Sequence, residues 1–333
     1  MWDVHCHIFP RRYIKELSSL HEIGISPPDS LGRNILYDKE TKQTLTYFIE
    51  GTPHVDVNKH LEDMREFGIE KQFLSVSPPH LDKIKEPRRA LQLSQAINDG
   101  LSEIVDVDRE HLSALATLPT TDLSLAMDEL RRIIKLGLPG VALPSNTAKR
   151  FYDEGYDDLF KEISSKGLLL FIHPTEPVVW DRLGEDYNLA LLYGWPFDTT
   201  LSVARLVFSG TIARYPGLKV VVSHGGGMIP FFAGRVKLLG KDMRGKGKVI
   251  AVEDPLADFK RLYYDTAFFN VPSLKLLLEF VGEDHVVMGT DYPFGQRAGR
   301  ACYEETLQMI NRALTCEQRE KVCKLNMTKL LHR

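Results

Sequence analysis

Five residues of this chain have side chains and positions suited to divalent-metal or proton-transfer chemistry: His5, His7, His173, His224 and Asp291. His5 and His7 lie two apart in the extended apolar run Met1-Trp-Asp-Val-His-Cys-His-Ile-Phe9. Side chains on a strand alternate between its faces, so the two imidazoles share one face while Val4 and Cys6 point the other way. Two neutral imidazoles side by side are half a metal site. The other three each follow a separate apolar run: His173 after Leu-Leu-Leu-Phe-Ile, His224 after Val-Val-Val-Ser, and Asp291 after Val-Val-Met-Gly-Thr. His5, His7, His173 and Asp291 together offer three nitrogens and a carboxylate oxygen. That set suits zinc and other divalent first-row ions in an open, catalytic type of site. Taken singly, each has a plain structural reading: His173 a hydrogen-bonded core histidine, Asp291 a turn residue in Asp-Tyr-Pro.

Those residues need a scaffold that brings distant strand ends together. Strand signals centred near Val4, Leu74, Leu115, Val141, Leu170, Val221, Tyr264 and Val287 alternate with helical patterns. One helix is expected from Pro87 to Val105, one capped by Thr121 and ended by Gly137, one from Thr200 to Arg214 and one from Pro272 to Val281. Two more, near Tyr303–Ala313 and Glu317–Leu331, finish the chain. Strands joined by crossover helices run parallel, and eight such units close into an α/β (β/α)8 TIM barrel with its chemistry at the carboxyl ends of the strands. An open doubly wound sheet competes, but it gives no reason for the histidines to converge. The single domain would span residues 1–333. Residues 8 to about 57 are too long for an ordinary connection and read as an insertion or lid over the barrel mouth, with a β-hairpin between Asn34 and Ile49.

Bulk properties narrow the partners. The 333 residues carry 42 Lys+Arg against 45 Asp+Glu, a formal charge of −3, which gives no electrostatic footing for nucleic acid or an anionic membrane surface. No apolar run approaches a membrane span, and the chain reads as a cytoplasmic enzyme with a small-molecule substrate. The four cysteines, Cys6, Cys302, Cys316 and Cys323, lack Cys-x-x-Cys spacing, and the last three read as packing residues of terminal helices. Gly225 to Gly227 is not followed by the Lys-Ser/Thr pair of a phosphate loop, so no nucleotide cofactor is expected.

The runs Asp3-Val-His-Cys-His7, His173-Pro174, Ser223-His-Gly-Gly-Gly227 and Gly289-Thr-Asp-Tyr-Pro293 resemble the amidohydrolase superfamily of metal-dependent barrels. More narrowly, Gly194-Trp-Pro-Phe-Asp-Thr-Thr200, Arg214-Tyr-Pro-Gly-Leu-Lys219, His224 to Phe231 with Gly234-Arg235, and Asn326-Met-Thr-Lys-Leu-Leu331 resemble its decarboxylating branch, typified by aminocarboxymuconate-semialdehyde decarboxylase. The resemblance implies one divalent ion, Zn2+ first and Mn2+ as the alternative, held by His5, His7, His173 and Asp291. It implies His224 as a catalytic residue beside the ion and a homodimer. Leu143-Pro-Ser-Asn146 has no Lys or Glu of the kind that bridges two metals, which agrees with a single ion.

The expected reaction is metal-dependent, non-oxidative decarboxylation of a small unsaturated or aromatic acid, hydroxybenzoate-like or muconate-like, with His224 or Asp291 moving the proton. The rivals are a lactone or amide hydrolase of the same superfamily and a metal-binding barrel without turnover. Departures from the pattern bear on the substrate. Phe48 stands where the typical enzyme has a substrate-binding arginine, and Leu191 where it has an aromatic residue. Arg244 stands one residue out of register with an arginine donated across the dimer; its other reading is a solvated charge in a basic run. Arg244, Trp195, Phe48 and Phe294 are the substrate-binding candidates.

Overall fold

The computed structural model describes residues 1–147, 150–151, 153, 155–183, 186–240 and 250–332. The chain forms two compact units, Met1–Ala142 with Gly289–Glu305, and Leu143–Met288 with Thr306–Arg333. In the first, β1 (Trp2–His7) leads into α1 (Arg11–Leu17) and the strands β2 (Ile23–Ile25), β3 (Arg33–Asp38) and β4 (Thr44–Ile49). There follow α2 (Val57–Phe67), β5 (Lys71–Ser75), α3 (Pro87–Val105), β6 (Leu112–Ala114), α4 (Leu123–Lys135) and β7 (Gly140–Pro144), where the chain passes to the second unit. Strand β5 lies between β1 and β6 in a parallel sheet. A bridge from Cys6 to Tyr292 and another from Ala116 to Val141 extend that ladder at its two edges.

The expected hairpin is present. Strands β3 and β4 pair antiparallel, and the Asp38 carboxylate accepts from Glu40 N and Thr41 N in the turn. A third strand, β2, and the helix α1 join it, both unmarked by the sequence pattern. Helix α2 starts at an Asp56 cap and stops at Gly68, which has the left-handed φ of 69° that a residue without Cβ adopts at no steric cost. The expected Thr121 cap is corrected: Asp122 caps α4, its carboxylate accepting from Ser124 N and Leu125 N.

The second unit continues with α5 (Tyr156–Ser165), β8 (Leu169–His173), α6 (Trp180–Leu183), α7 (Trp195–Phe208), α8 (Thr211–Arg214), β9 (Lys219–Val222), α9 (Ile229–Leu239), α10 (Pro255–Arg261), β10 (Tyr263–Tyr264) and α11 (Val271–Val281). It ends in α12 (Arg300–Ala313), begun in the first unit, then α13 (Cys316–Glu320) and α14 (Asn326–His332). The sheet order is β10-β9-β8-β7, with β8 to β9 and β9 to β10 parallel. Strand β8 is buried along its whole length, as a continuous apolar run between crossover helices requires.

Three expectations change here. The single helix expected from Thr200 to Arg214 begins five residues earlier, at Trp195, because Pro196 is tolerated in a first turn, and it breaks at Gly210, whose φ is 77°. The seventh and eighth strand signals shorten to Tyr263–Tyr264 and a single bridge from Tyr264 to Val286. Cys316 is exposed, so it is not a packing residue, whereas Cys323 is buried.

Candidate metal centre

Strand β1 carries Asp3, His5 and His7, all fully buried. The segment Gly289–Phe294 lies along it: His7 N donates to Tyr292 O at 2.7 Å and Asp291 N to His5 O at 2.9 Å. This backbone pairing holds Asp291 at a φ of 62°, a left-handed conformation that a non-glycine residue keeps only where its surroundings enforce it. The result is a tight triangle. His5 Nε2 is 3.0 Å from His7 Nε2, and the Asp291 Oδ1 atom is 3.0 Å from His7 Nε2 and 3.2 Å from His5 Nε2.

Hydrogen bonding on the far side of His7 indicates what this triangle wants. His7 Nδ1 is 3.0 Å from Ser75 Oγ, whose own hydrogen is directed at Cys6 O, 3.5 Å away. The Ser75 hydroxyl is thus within hydrogen-bond reach of one ring nitrogen of His7 while the other faces Asp291. An imidazole nitrogen 3.0 Å from a carboxylate oxygen shares a proton or a cation with it, and a hydrogen bond at the other ring nitrogen is how metal-binding imidazoles are fixed in tautomer and orientation. The donor set fits a divalent ion.

Asp3 is the part of this centre that spacing did not reveal. Its Oδ1 accepts from His5 N and Thr290 N, each at 3.2 Å, and its Oδ2 accepts from Thr290 Oγ1 at 2.5 Å. One buried carboxylate thus ties β1 to the residue preceding Asp291. Burial is the largest influence on it and raises its pKa to about 6. The sequence offered only the presence of Asp3 in the motif, with nothing to assign it a partner 287 positions away.

The aromatic candidate Phe294 faces this centre. Its ring is 5.5 Å from that of His7, 5.8 Å from Tyr47 and 5.3 Å from His54, centre to centre. Phe48 is 2% exposed and packs on Phe9 at 5.9 Å. Neither Tyr47 nor His54 carried a sequence signal.

In the second unit, His173 ends β8 and His224 follows β9, with ring centres 5.4 Å apart. His173 Nδ1–H donates to Pro174 O at 2.8 Å, which assigns its lone pair to Nε2. His224 has a φ of 52°, and its Nδ1 is 3.1 Å from Ser223 Oγ. Trp195, the first residue of α7, lies 6.5 Å from His173. The glycines after His224 are needed for close approach: a Cβ on Gly226 would sit 2.6 Å from the Tyr264 ring, and one on Gly227 would sit 2.2 Å from Pro196 O. Arg244 lies outside the described residues.

An amidohydrolase family model matches residues 2–333. A 2-amino-3-carboxymuconate-6-semialdehyde decarboxylase from Dictyostelium discoideum is 32% identical over 300 residues, covering 88% of this chain and 81% of that one. The structure of a 5-carboxyvanillate decarboxylase from Sphingomonas paucimobilis superposes with a TM-score of 0.82 at 21% identity, covering 100% of this chain and 98% of its own. A dihydroxybenzoic acid decarboxylase from a Polaromonas species, solved with bound manganese and the inhibitor 2-nitroresorcinol, gives 0.77 at 20% identity, covering 99% of this chain and 96% of its own. With its (β/α)8 fold class and a His/Asp metal site, the chain belongs to the amidohydrolase family, in the branch whose named members are decarboxylases.

Proposed function

We propose that this enzyme catalyses metal-dependent, non-oxidative decarboxylation of a small hydroxylated aromatic or muconate-like acid. The observation that carries the reading is the triangle of His5, His7 and Asp291, in which two imidazole nitrogens and a carboxylate oxygen lie 3.0 to 3.2 Å from one another. One divalent ion would be held by His5, His7, His173 and Asp291, with Zn2+ the first expectation and Mn2+ the alternative found in the Polaromonas relative. When bound, the ion supplies a Lewis acid for the carboxylate or an adjacent oxygen of the substrate.

The chain's own residues supply the rest. The bond from carboxylate to ring carbon breaks, its electron pair stays on that carbon, carbon dioxide leaves, and a proton must arrive. His224 is assigned to deliver it from Nε2, since the Ser223 hydroxyl lies 3.1 Å from its Nδ1. Asp291 is the second group able to move that proton. Phe294, Trp195 and Phe48 are assigned to the substrate, Phe294 by its ring against His7, and Arg244 is assigned by resemblance alone. Residues 8–57 act as cover in this reading, supported by the contacts of Tyr47 and His54 with Phe294. The match over residues 2–333 supports one functional domain.

A homodimer is part of the proposal. It is supported by large apolar side chains left exposed on α9, with Phe231 at 72% and Leu238 at 77%, and by the exposed run Leu191-Leu-Tyr193. A cytoplasmic location is supported by the thiols Cys6, Cys302 and Cys316, which form no disulfide among the described residues.

The test is carbon dioxide release from a panel of hydroxybenzoates and muconate-like acids, with and without chelator, beside metal analysis of the purified protein. Chelator-sensitive release is expected. Hydrolysis of a lactone panel without any carbon dioxide would overturn the reading. His224→Ala should abolish release while leaving the bound metal in place.

A further inference from the structure

The second unit holds a cavity of about 320 Å³ that the decarboxylase reading leaves unassigned. Among the described residues it is lined by Ser145, Asn146 and Thr147 after β7, by Arg150, and by Ser202 and Arg205 on α7. Phe151 and Val178 add an apolar face. Arg150 is exposed, Arg205 half-buried and Ser202 buried, so the lining runs from the surface inward and a solute has a way in. Ser202 and Arg205 lie seven and ten residues beyond Trp195 on the same helix, about 10 and 15 Å along its axis at a rise of 1.5 Å per residue. That length of helix sets the cavity apart from the residues around His173 and His224.

Part of this polar lining is engaged within the protein. Ser145 Oγ–H donates to Asp198 Oδ2 at 2.7 Å, Val178 N–H donates to Asp198 Oδ1 at 3.2 Å, and Asn146 Nδ2–H donates to Glu176 O at 2.9 Å. Asp198 therefore has a donor on each oxygen; burial raises its pKa, against the pull of Ser145, Val178 N and the Arg205 charge. Among the described residues no carboxylate lies at salt-bridge distance from Arg205. Ser202 is 1% exposed, and its Oγ has no hydrogen-bond partner among the described residues. A buried hydroxyl without a partner is unfavourable, and such groups occur where a ligand or an ordered water satisfies them. With a guanidinium one turn further along the helix, the chemistry calls for an oxygen anion: the arginine fork presents paired N–H groups to a carboxylate or phosphate, and the hydroxyl adds a further donor.

We propose that this cavity is a binding site for a small organic oxyanion, a phosphate monoester or a carboxylate on an apolar carbon group, held by Arg205, Arg150 and the Ser202 hydroxyl. Two guanidinium charges match the nearly doubly charged phosphate better than a singly charged carboxylate, and Phe151 with Val178 receives the carbon group. The volume falls at the lower end of small-molecule sites, roughly 300–1,000 Å³, which is more room than an inorganic ion fills. The site does not depend on which reaction the metal centre performs.

The experiment is calorimetric titration of the metal-loaded enzyme with phenyl phosphate, benzoate and inorganic phosphate, in wild type, Arg205→Gln, Arg205→Lys and Ser202→Ala. Metal analysis and thermal melting beside it show that each variant is loaded and folded. Wild type should bind phenyl phosphate saturably and tightest, benzoate less tightly and inorganic phosphate least. Arg205→Gln should weaken phenyl phosphate about tenfold or more, and Arg205→Lys by less, because it keeps the charge and loses the fork. Ser202→Ala should weaken it about three- to tenfold. Benzoate as the tightest ligand, with its affinity lost in Arg205→Gln, keeps the site and names the carboxylate as what it holds. Saturable binding of none of the three to wild type overturns the proposal. So does an affinity for phenyl phosphate in Arg205→Gln equal to that of wild type, which would place the anion on the metal instead. Where Arg205→Gln does not fold, Ser202→Ala decides: weakened binding supports the site and unchanged binding overturns it.

Discussion

Replacing Asp3 with alanine tests how the metal centre is assembled without touching a ligand. The substitution strips the acceptor from three buried donors: His5 N and Thr290 N, each at 3.2 Å, and Thr290 Oγ1 at 2.5 Å. A buried donor left without a partner costs about 1–3 kcal/mol. Relief from burying the carboxylate offsets part of the sum, since its pKa of about 6 marks burial as unfavourable to the charge. The expected net loss is about 3 kcal/mol, read from urea unfolding in the presence of chelator so that metal binding does not enter. Thr290 also loses its anchor to β1, and Asp291 follows it directly in the chain. Metal affinity should therefore fall about 10–100-fold, as is usual when a group supporting a ligand is removed. A competition titration against a chromophoric chelator measures that fall. Asp3→Asn keeps one oxygen for the two backbone donors and is expected to lose less on both scales. Wild-type stability together with wild-type metal affinity in Asp3→Ala would refute the idea that this carboxylate positions Asp291.

Other outcomes follow from the same geometry. Ser75→Ala removes the acceptor on His7 Nδ1 and should weaken metal binding by about tenfold with a stability loss of about 1 kcal/mol, measured by the same two assays. Gly227→Ala forces a Cβ to 2.2 Å from Pro196 O at a φ of 61°, so it should destabilise by at least about 2 kcal/mol and lower carbon dioxide release through displaced Trp195 and His224; calorimetric melting beside the activity assay checks it. His54, His60 and His80 are all buried with pKa values pushed down by burial, to about 4 for His54 and about 3 for His80. Because the folded state resists protonating them, their contribution is complete above the unfolded value near 6.5 and is lost as pH falls from there towards 4 and then 3. Each removes up to about 1.4 kcal/mol per pH unit across its window, so urea midpoints should drop between pH 7 and 5, and His80→Phe should flatten that slope. Removing bound metal with a chelator should lower the melting temperature, and restoring the ion should recover it with a dependence on metal concentration.

The sequence by itself determined the alternation of elements, the family, and the identity of His5, His7 and Asp291 as neighbours in chemistry. Strand periodicity puts His5 and His7 on one face whatever the rest of the chain does, and the apolar runs before His173, His224 and Asp291 mark strand ends because a strand buried on both sides must be apolar along its length. The hairpin between Asn34 and Ile49 was legible for the same reason, from alternation around turn formers. Local patterns failed where the deciding contact is remote. Asp122 takes the cap from Thr121 because only its carboxylate reaches both first-turn N–H groups. Helix α7 starts at Trp195, and the last two strands shrink to a short pair and a bridge, since neither limit is set by propensity. The bond from Thr290 to Asp3 depends on a partner far along the chain, and side-chain spacing contains no information about it. Periodicity reports which face a residue occupies. Which atom it meets there, and therefore which proton or cation it can hold, is decided only when the backbone has closed.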